Sequence, residues 1–294
     1  MQVIDLLHTA TRELAEAGVD GGDLDGQLLL GACLNKSRTE LFLAADMEVP
    51  EEARRVFLRY LERRKRREPI AYILGEREFW SLPFIVNPSV LIPRPETEFL
   101  VEQVLAACRP RRGLHDGWIL DLCCGSGAIA VVLALELQRD IVAVDISCDA
   151  LAVAQQNCRR HKVDDRVALV KADLLTAFAA ERRFSLLVSN PPYVSRRQLR
   201  QGLDPEVAGY EPLLALDGGE DGLDIIARIK EMLPVIMRPG GEVFIEIGAE
   251  QGPALLRMFA PSAGAAELVK TVEILKDYAG RDRVLHLLLS GYGR

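Results

Sequence analysis

Residues 118–135 read WILDLCCGSGAIAVVLAL: an apolar strand, a glycine turn and an apolar helix in immediate succession. Gly125 and Gly127 allow the chain to turn tightly and bring its backbone close to a ligand, and the helix that follows offers free amides to a polar or anionic group. Twenty residues beyond Gly125, Asp145 closes the run IVAVD, where a carboxylate can accept hydrogen bonds from ribose hydroxyls. A nucleotide-like ligand is implied. The same residues also satisfy a relaxed dinucleotide fingerprint, so on their own they fit a nicotinamide cofactor as well as S-adenosylmethionine.

Outward from this stretch the pattern alternates. Strands are expected at Trp118–Leu122, Ile141–Asp145, Val167–Val170, Phe184–Ser189, Glu242–Ile247, Glu267–Ile274 and Arg283–Leu289, with helices at Ser126–Leu137, Ser147–Arg160 and Asp221–Met232 the clearest between them. Such alternation predicts an α/β, doubly wound and mostly parallel sheet that binds ligands at the carboxyl ends of its strands. Upstream, the first 75 residues read as short helices: Val3, Leu6, Leu7 and Leu14 keep a helical period, Ser37 and Glu40 form a capping box, and Pro50 opens a longer helix at its first position. A β-hairpin is expected between about residues 78 and 92. The expected division is therefore a small helical domain (1–75), a hairpin linker (76–93) and a Rossmann-like catalytic domain (94–294).

Composition narrows the classes. With 294 residues, 49% apolar and 27% charged, the chain is long and apolar enough for one large and one small core. Its longest apolar run, Ala128–Leu135, falls well short of the roughly 20 residues that cross a bilayer. The N-terminus lacks the pattern of a signal peptide, and a cytoplasmic protein is expected. The six cysteines contain no C-x-x-C pair, so neither a metal site nor a disulfide framework is expected. A net charge of -7 opposes generic attraction to a polyanion. One segment departs from this balance: RRVFLRYLERRKRR, Arg54–Arg67, holds eight basic residues and one acid, and is either a solvated helix face or a docking face for an acidic partner.

The fourth strand of the sheet runs into SNPPYV. Asn190, at the carboxyl end of that strand, is followed by Pro191 and Pro192, whose rings fix φ while their carbonyls remain free to accept. A planar NH2 group can donate one proton to the Asn190 oxygen and the other to a backbone carbonyl while Tyr193 packs on its face. Carboxamides and exocyclic base amines both fit. None of the four histidines, His8, His115, His161 and His286, lies in a motif, and each reads as a surface or packing residue. Arg94, Glu96 and Glu98 of IPRPETE form either a helix start or a segment that closes over the cofactor. The glycine-rich ALDGGEDGLD reads as a loop leading into a helix.

Taken together, REPIAYILGEREFW, VNPSVLIPRPETEFLVE, DLCCGSGAIA, SNPPYV, EPLLALDGGEDGLD, EIGAEQG and DYAGRDRV resemble the PrmC/HemK family, the peptide chain release factor glutamine methyltransferases. The resemblance covers about residues 65–294. It implies transfer of a methyl group from S-adenosyl-L-methionine to the side-chain amide nitrogen of the glutamine in the Gly-Gly-Gln loop of release factors. By this resemblance Cys123, Cys124, Gly125, Ser126 and Gly127 line the methionine portion of the cofactor, Asp145 holds its ribose, Asp173 and Leu174 meet the adenine, and Asn190, Pro191, Pro192 and Tyr193 orient the substrate amide. Some members carry Trp at the position of Leu174, and some carry Gly and Thr at Cys123 and Cys124. It further implies release factors as the protein partners; stable nucleic-acid binding is not expected on the charge balance, and the oligomeric state is left open, with a monomer favoured.

Three rival readings remain. An N6-adenine nucleic-acid methyltransferase would use the same N-P-P-Y motif, but residues 114–294 hold 20 basic against 25 acidic side chains, an unfavourable balance for gripping a phosphate backbone. A nicotinamide oxidoreductase gives N-P-P-Y no role. A noncatalytic module gives no reason for both motifs to be intact.

Overall fold

The computed structural model describes residues 1–108, 117–181, 183–260 and 268–290; His115 and the expected strand start at Glu267 lie outside these residues. The chain divides into two units, Met1–Glu76 with Leu203–Tyr210, and Arg77–Gly202 with Glu211–Arg294.

In the first unit, α1 (Val3–Glu16) buries Val3, Leu6, Ala10 and Leu14, the stripe that its sequence period sets out. It packs on α2 (Gly22–Leu34), where a Cβ at Gly22 would stand 2.7 Å from the Cβ of Leu14, so the close approach requires glycine. The Ser37–Glu40 capping box starts α3 (Arg38–Leu43): the Ser37 amide donates to Glu40 Oε2 at 2.7 Å, and the Glu40 amide donates back to Ser37 Oγ at 3.3 Å. In α4 (Glu51–Lys65), Pro50 is the cap just outside the helix and not its first residue, a one-position correction to the sequence reading. α5 (Ile70–Leu74) completes the run. The short helix Pro205–Tyr210 belongs to this unit too, although its sequence neighbours belong to the other.

That helix accounts for part of the basic segment. Glu206 pairs with Arg64 at 2.9 Å and Arg67 at 2.8 Å, and Asp25 accepts from Arg64 at 2.7 Å. Glu51, Glu52, Glu68, Glu13 and Glu62 neutralise Arg54, Arg55, Arg63 and Lys65. Six of the eight basic side chains therefore have acids of their own unit beside them, and Arg59 and Arg66 are the exposed remainder.

The second unit opens, from Arg77, within a hairpin of β1 (Glu76–Phe79) and β2 (Leu82–Ile85), whose two turn residues, Trp80 and Ser81, both take φ +55°, the twist that two-residue hairpins require. Next come α6 (Pro95–Cys108), β3 (Trp118–Leu122), α7 (Ala128–Leu137), β4 (Ile141–Asp145), α8 (Cys148–Arg160), β5 (Val167–Lys171) and β6 (Phe184–Ser189). The remaining elements are α9 (Arg196–Gln201), α10 (Pro205–Tyr210, described above), α11 (Asp224–Ile236), β7 (Met237–Glu246), α12 (Gly252–Phe259), β8 (Val269–Lys276) and β9 (Asp282–Leu289). β7 begins five residues earlier than its apolar run suggests, because Met237 pairs with Phe184 across a register shift.

The seven strands lie in the order β5-β4-β3-β6-β7-β9-β8. The first five pair in parallel, and β9 is antiparallel to both of its neighbours. β3 and β4 advance to one side of the sheet and β6 and β7 to the other, so the winding reverses between β3 and β6. Ligands bind at such a reversal. Buried apolar side chains cover both faces, α7 on one and α11 on the other. Full coverage explains why β3 and β6 are buried along nearly their whole length and mostly apolar, with Asp121, Ser185 and Ser189 the buried polar exceptions.

Candidate active site

Pairing of Leu122 with Ser189 places the ends of β3 and β6 side by side, and Ser189 Oγ donates to the Leu122 carbonyl at 2.7 Å. The glycine turn and N-P-P-Y, 67 residues apart in sequence, thus leave the sheet together. Around them lies a cavity of about 700 Å3.

Its wall includes Cys123, Cys124, Gly125, Ser126, Asp145, Asp173, Leu174, Asn190 and Pro192, nine of the residues expected from sequence. Gly127, Pro191 and Tyr193 stand back from it among the described residues. Gly127, at φ +77°, caps α7, and a Cβ there would come within 3.0 Å of Ala154 Cβ, so its contribution is close helix packing. Pro191 is buried. Tyr193 donates its hydroxyl to Glu246 Oε1 at 3.0 Å, which ties it into the sheet. Burial, and then the Glu246 charge, push the Tyr193 phenol well above its ordinary pKa, so it stays protonated.

Asp145 is well prepared for a diol. Its Oδ2 accepts from the Gly125 amide at 2.8 Å and its Oδ1 from the Ser147 amide at 2.9 Å, which leaves each oxygen with spare accepting capacity. Burial raises its pKa, while the amides of Ser147, Gly125 and Ile146 oppose that rise. The turn itself is fastened by Asn157 on α8, whose Nδ2 donates to the Ser126 carbonyl at 2.9 Å and to the Ile85 carbonyl at 3.0 Å. Burial drives both the Cys123 and Cys124 thiols far up, so neither is a thiolate near neutral pH. Asp173 is paired with Arg228 at 2.8 Å, and both line the cavity.

Asn190 is anchored at its amino end: Nδ2 donates to Thr97 Oγ1 at 3.1 Å, and Thr97 donates to Glu246 Oε2 at 2.7 Å. Thr97 sits in the IPRPETE segment. The charged residues that stood out there have other tasks: Arg94 pairs with the buried Glu211, Glu98 accepts from the Trp80 amide at 2.8 Å, and Glu96 is exposed. Pro93 and Thr97, not these charges, border the cavity.

The glycine-rich loop braces N-P-P-Y from behind. The Val194 amide donates to Leu216 O and the Gly218 amide to Val194 O, both at 2.9 Å. Gln251, from EIGAEQG, donates to the carbonyls of Tyr193 and Gly222, each at 3.0 Å. Side chains at Gly218 and Gly222 would collide with Pro192 O and Tyr193 O respectively. Residues that sequence reasoning missed include Phe79, Ile146, Arg228 and the Leu213–Ala215 turn on the cavity wall. Leu213 and Leu214 are exposed despite being apolar, a signal visible in EPLLAL only once the loop is placed.

His161 meets the Pro83 carbonyl at 2.9 Å, and His286 stacks on Phe244 at a centroid distance of 4.3 Å; both lie outside the cavity wall. Among the described residues no cluster suits a metal ion, and no helix is long and apolar enough to cross a membrane.

The PrmC N-terminal domain family matches residues 5–75, and the methyltransferase small domain family matches residues 95–207. A release factor glutamine methyltransferase of Geobacter sulfurreducens is 42% identical over 84% of this chain and 84% of its own length. That of Nitratidesulfovibrio vulgaris is 39% identical over 95% of this chain and 92% of its own. Among solved structures, the catalytic domain of human METTL16, in complex with a MAT2A 3'UTR hairpin, gives a TM-score of 0.52 at 18% identity, covering 82% of this chain and 80% of that one, which supports the fold alone. Identity at this level, across nearly the whole length, shows that the chain belongs to the release factor glutamine methyltransferase family.

Proposed function

We propose that the protein transfers the methyl group of S-adenosyl-L-methionine to the side-chain amide nitrogen of the glutamine in the Gly-Gly-Gln loop of peptide chain release factors. The observation that carries this reading is the shared cavity: Asp145 and the glycine turn form one part of its wall, and Asn190 and Pro192 form another. The residues fit the cofactor. Asp145 has spare acceptors for ribose hydroxyls, and the Gly125 Cα has nothing within 4 Å of where a side chain would project. When bound, the cofactor supplies an electrophilic sulfonium methyl and departs as a thioether.

The work left to the chain is positioning. An amide nitrogen is a weak nucleophile because its lone pair is delocalised into the carbonyl. Hydrogen bonds from its two protons to Asn190 Oδ1 and to a backbone carbonyl of N-P-P-Y hold the lone pair on the line of attack and stabilise the positive charge that grows on nitrogen. The nitrogen then becomes acidic and loses its proton without a dedicated base. Release factors in the cytoplasm are the protein partners on this reading. The family relationship disfavours a base amine as acceptor. Incubation with methyl-labelled cofactor and a purified release factor, followed by mass mapping, should place the label on the glutamine of Gly-Gly-Gln. Label on another residue, or none, would refute the reading.

A further inference from the structure

Asn190 has two chemically opposite ends, and only its oxygen can accept from a substrate NH2 group. Which end faces the cavity is decided by its neighbour. Thr97 Oγ1 lies 2.7 Å from Glu246 Oε2 and 3.1 Å from the Asn190 amide. A hydroxyl has one proton and two lone pairs. An ionised carboxylate only accepts, so the single Thr97 proton is directed at Glu246, and the Thr97 oxygen must then accept from its other neighbour. That neighbour has to present NH2. Were Glu246 protonated, it could donate to Thr97, whose own proton would be freed for the Asn190 oxygen. The amide would then be stable turned through half a revolution, with NH2 facing a substrate NH2.

We infer that Thr97 and Glu246 are positioning residues for methyl transfer: the Glu246 carboxylate orients the Thr97 hydroxyl, and Thr97 in turn locks Asn190 with its oxygen available to the reacting amide. This rests on the function proposed above. Neither residue needs to touch the substrate nitrogen. Glu246 is fully buried at the end of β7, and its second oxygen accepts from Tyr193, so one carboxylate orders two side chains of N-P-P-Y. The groups that face it are Thr97 and Glu96 on α6, Tyr193 after β6 and Arg283 on β9. Arg283 is itself held by Asp277, on the DYAGRDRV turn, at 3.3 Å. Burial raises the Glu246 pKa first, Glu96 adds to the rise, and the two hydroxyls and Arg283 oppose it. An acid limb in kcat is therefore expected above the ordinary carboxylate range.

The test uses the full-length protein. Single-turnover methylation of a purified release factor is measured for wild type, Thr97→Val, Thr97→Ser and Glu246→Gln, with cofactor affinity measured in parallel. In addition, the side-chain amides are observed by 15N NMR after selective asparagine labelling. Only four asparagines occur, Asn35, Asn87, Asn157 and Asn190, so the last is readily assigned. Thr97→Val should slow methylation about tenfold to a hundredfold with cofactor affinity little changed, the scale expected for a misplaced group. Thr97→Ser should restore most of the rate. The Asn190 NH2 resonances should move in Thr97→Val and, in wild type, titrate together with the acid limb of kcat; Glu246→Gln should abolish that titration. Thr97→Val at wild-type rate, Thr97→Ser as slow as Thr97→Val, or Asn190 resonances indifferent to both variants and pH would overturn the inference. The wild-type titration requires no variant to fold. If wild type binds cofactor but methylates no release factor, the proposed function fails while the NMR arms still decide the relay.

Discussion

In the proposed mechanism Asn190 accepts from the substrate amide, and Ala there removes that acceptor while leaving Asp145 and the glycine turn in place. Asn190→Ala should lower turnover by at least about a hundredfold, comparable to loss of a transition-state hydrogen bond in other enzymes. Isothermal titration with S-adenosylmethionine should find affinity within a few fold of wild type; undiminished turnover would remove Asn190 from its role. A second residue, Asp121, concerns stability. It is completely buried in β3, accepts one hydrogen bond from the Ala130 amide at 2.9 Å, and has no partner for Oδ1 among the described residues. Burial, only partly offset by that amide, raises its pKa to about 7, and the nearby Asp145 charge adds to the rise. A carboxyl raised in the folded state binds more protons than in the unfolded state between its ordinary pKa and about 7. Stability should therefore fall as pH rises through that window, by on the order of 4 kcal/mol at about 1.4 kcal/mol per unit, and flatten above it. Both tryptophans, Trp80 and Trp118, lie in the unit that contains Asp121, so urea unfolding followed by their fluorescence at pH 5 and pH 8 reads this directly. Asp121→Asn should reduce the difference, and an unchanged difference would assign it to other groups.

Among the elements, the brace behind N-P-P-Y is the least tolerant part of the site. Gly222 has φ +74°, and its missing side chain makes room for Tyr193 O and Gln251 Nε2. Gly222→Ala should destabilise the protein by about 2 kcal/mol or more and slow methylation at least about tenfold, whereas Gly209→Ala, with open space around its Cβ, should do neither. Thermal unfolding and a turnover assay on both variants check this. These elements also show where sequence reading succeeds and stops. β3 to β6 are legible because parallel strands covered on both faces are mostly apolar, and the glycine turn is legible because positive φ leaves a compositional mark. Pro239, Gly240 and Gly241 resemble a turn and lie within β7 as an irregularity, in the register shift between Met237 and Glu242, the residues on either side that pair with β6. Nine wall residues are legible from motif position alone. Thr97 and Glu246 were not, since they are 149 residues apart and meet only because strand order brings the start of α6 beside the end of β7. Tyr193 is expected from sequence to pack on the substrate amide, but it stands back from the cavity wall with its hydroxyl on Glu246, a partner invisible in the motif because it lies 53 residues away.

For the molecule as a whole, recognition of a folded protein partner is the largest demand on the fold, and the basic segment Arg54–Arg67 is smaller in effect than its sequence suggests. Arg63 and Arg64 have structural tasks, with Arg64 buried between Asp25 and Glu206, so reversing them would leave carboxylates unpaired and confound any binding measurement. Arg59→Glu with Arg66→Glu is the cleaner pair. If an acidic release factor surface is drawn to this unit, that double variant should raise KM for the protein several-fold at low salt with kcat and cofactor affinity unchanged, and the difference should fade as salt is added. A KM equal to wild type at low salt would exclude electrostatic docking through these two residues.

The excursion of Leu203–Tyr210 into the helical unit means that the backbone passes between the units three times, after Glu76, after Gly202 and after Tyr210. The N-terminal part is consequently not a detachable cassette. A chimera that imports residues 1–76 from a distant relative, to redirect the enzyme to another client, would bring foreign counterparts of Arg64, Arg66 and Arg67 to a native Glu206 and Tyr210. Grafts designed to change clients should transplant both pieces as one inseparable module.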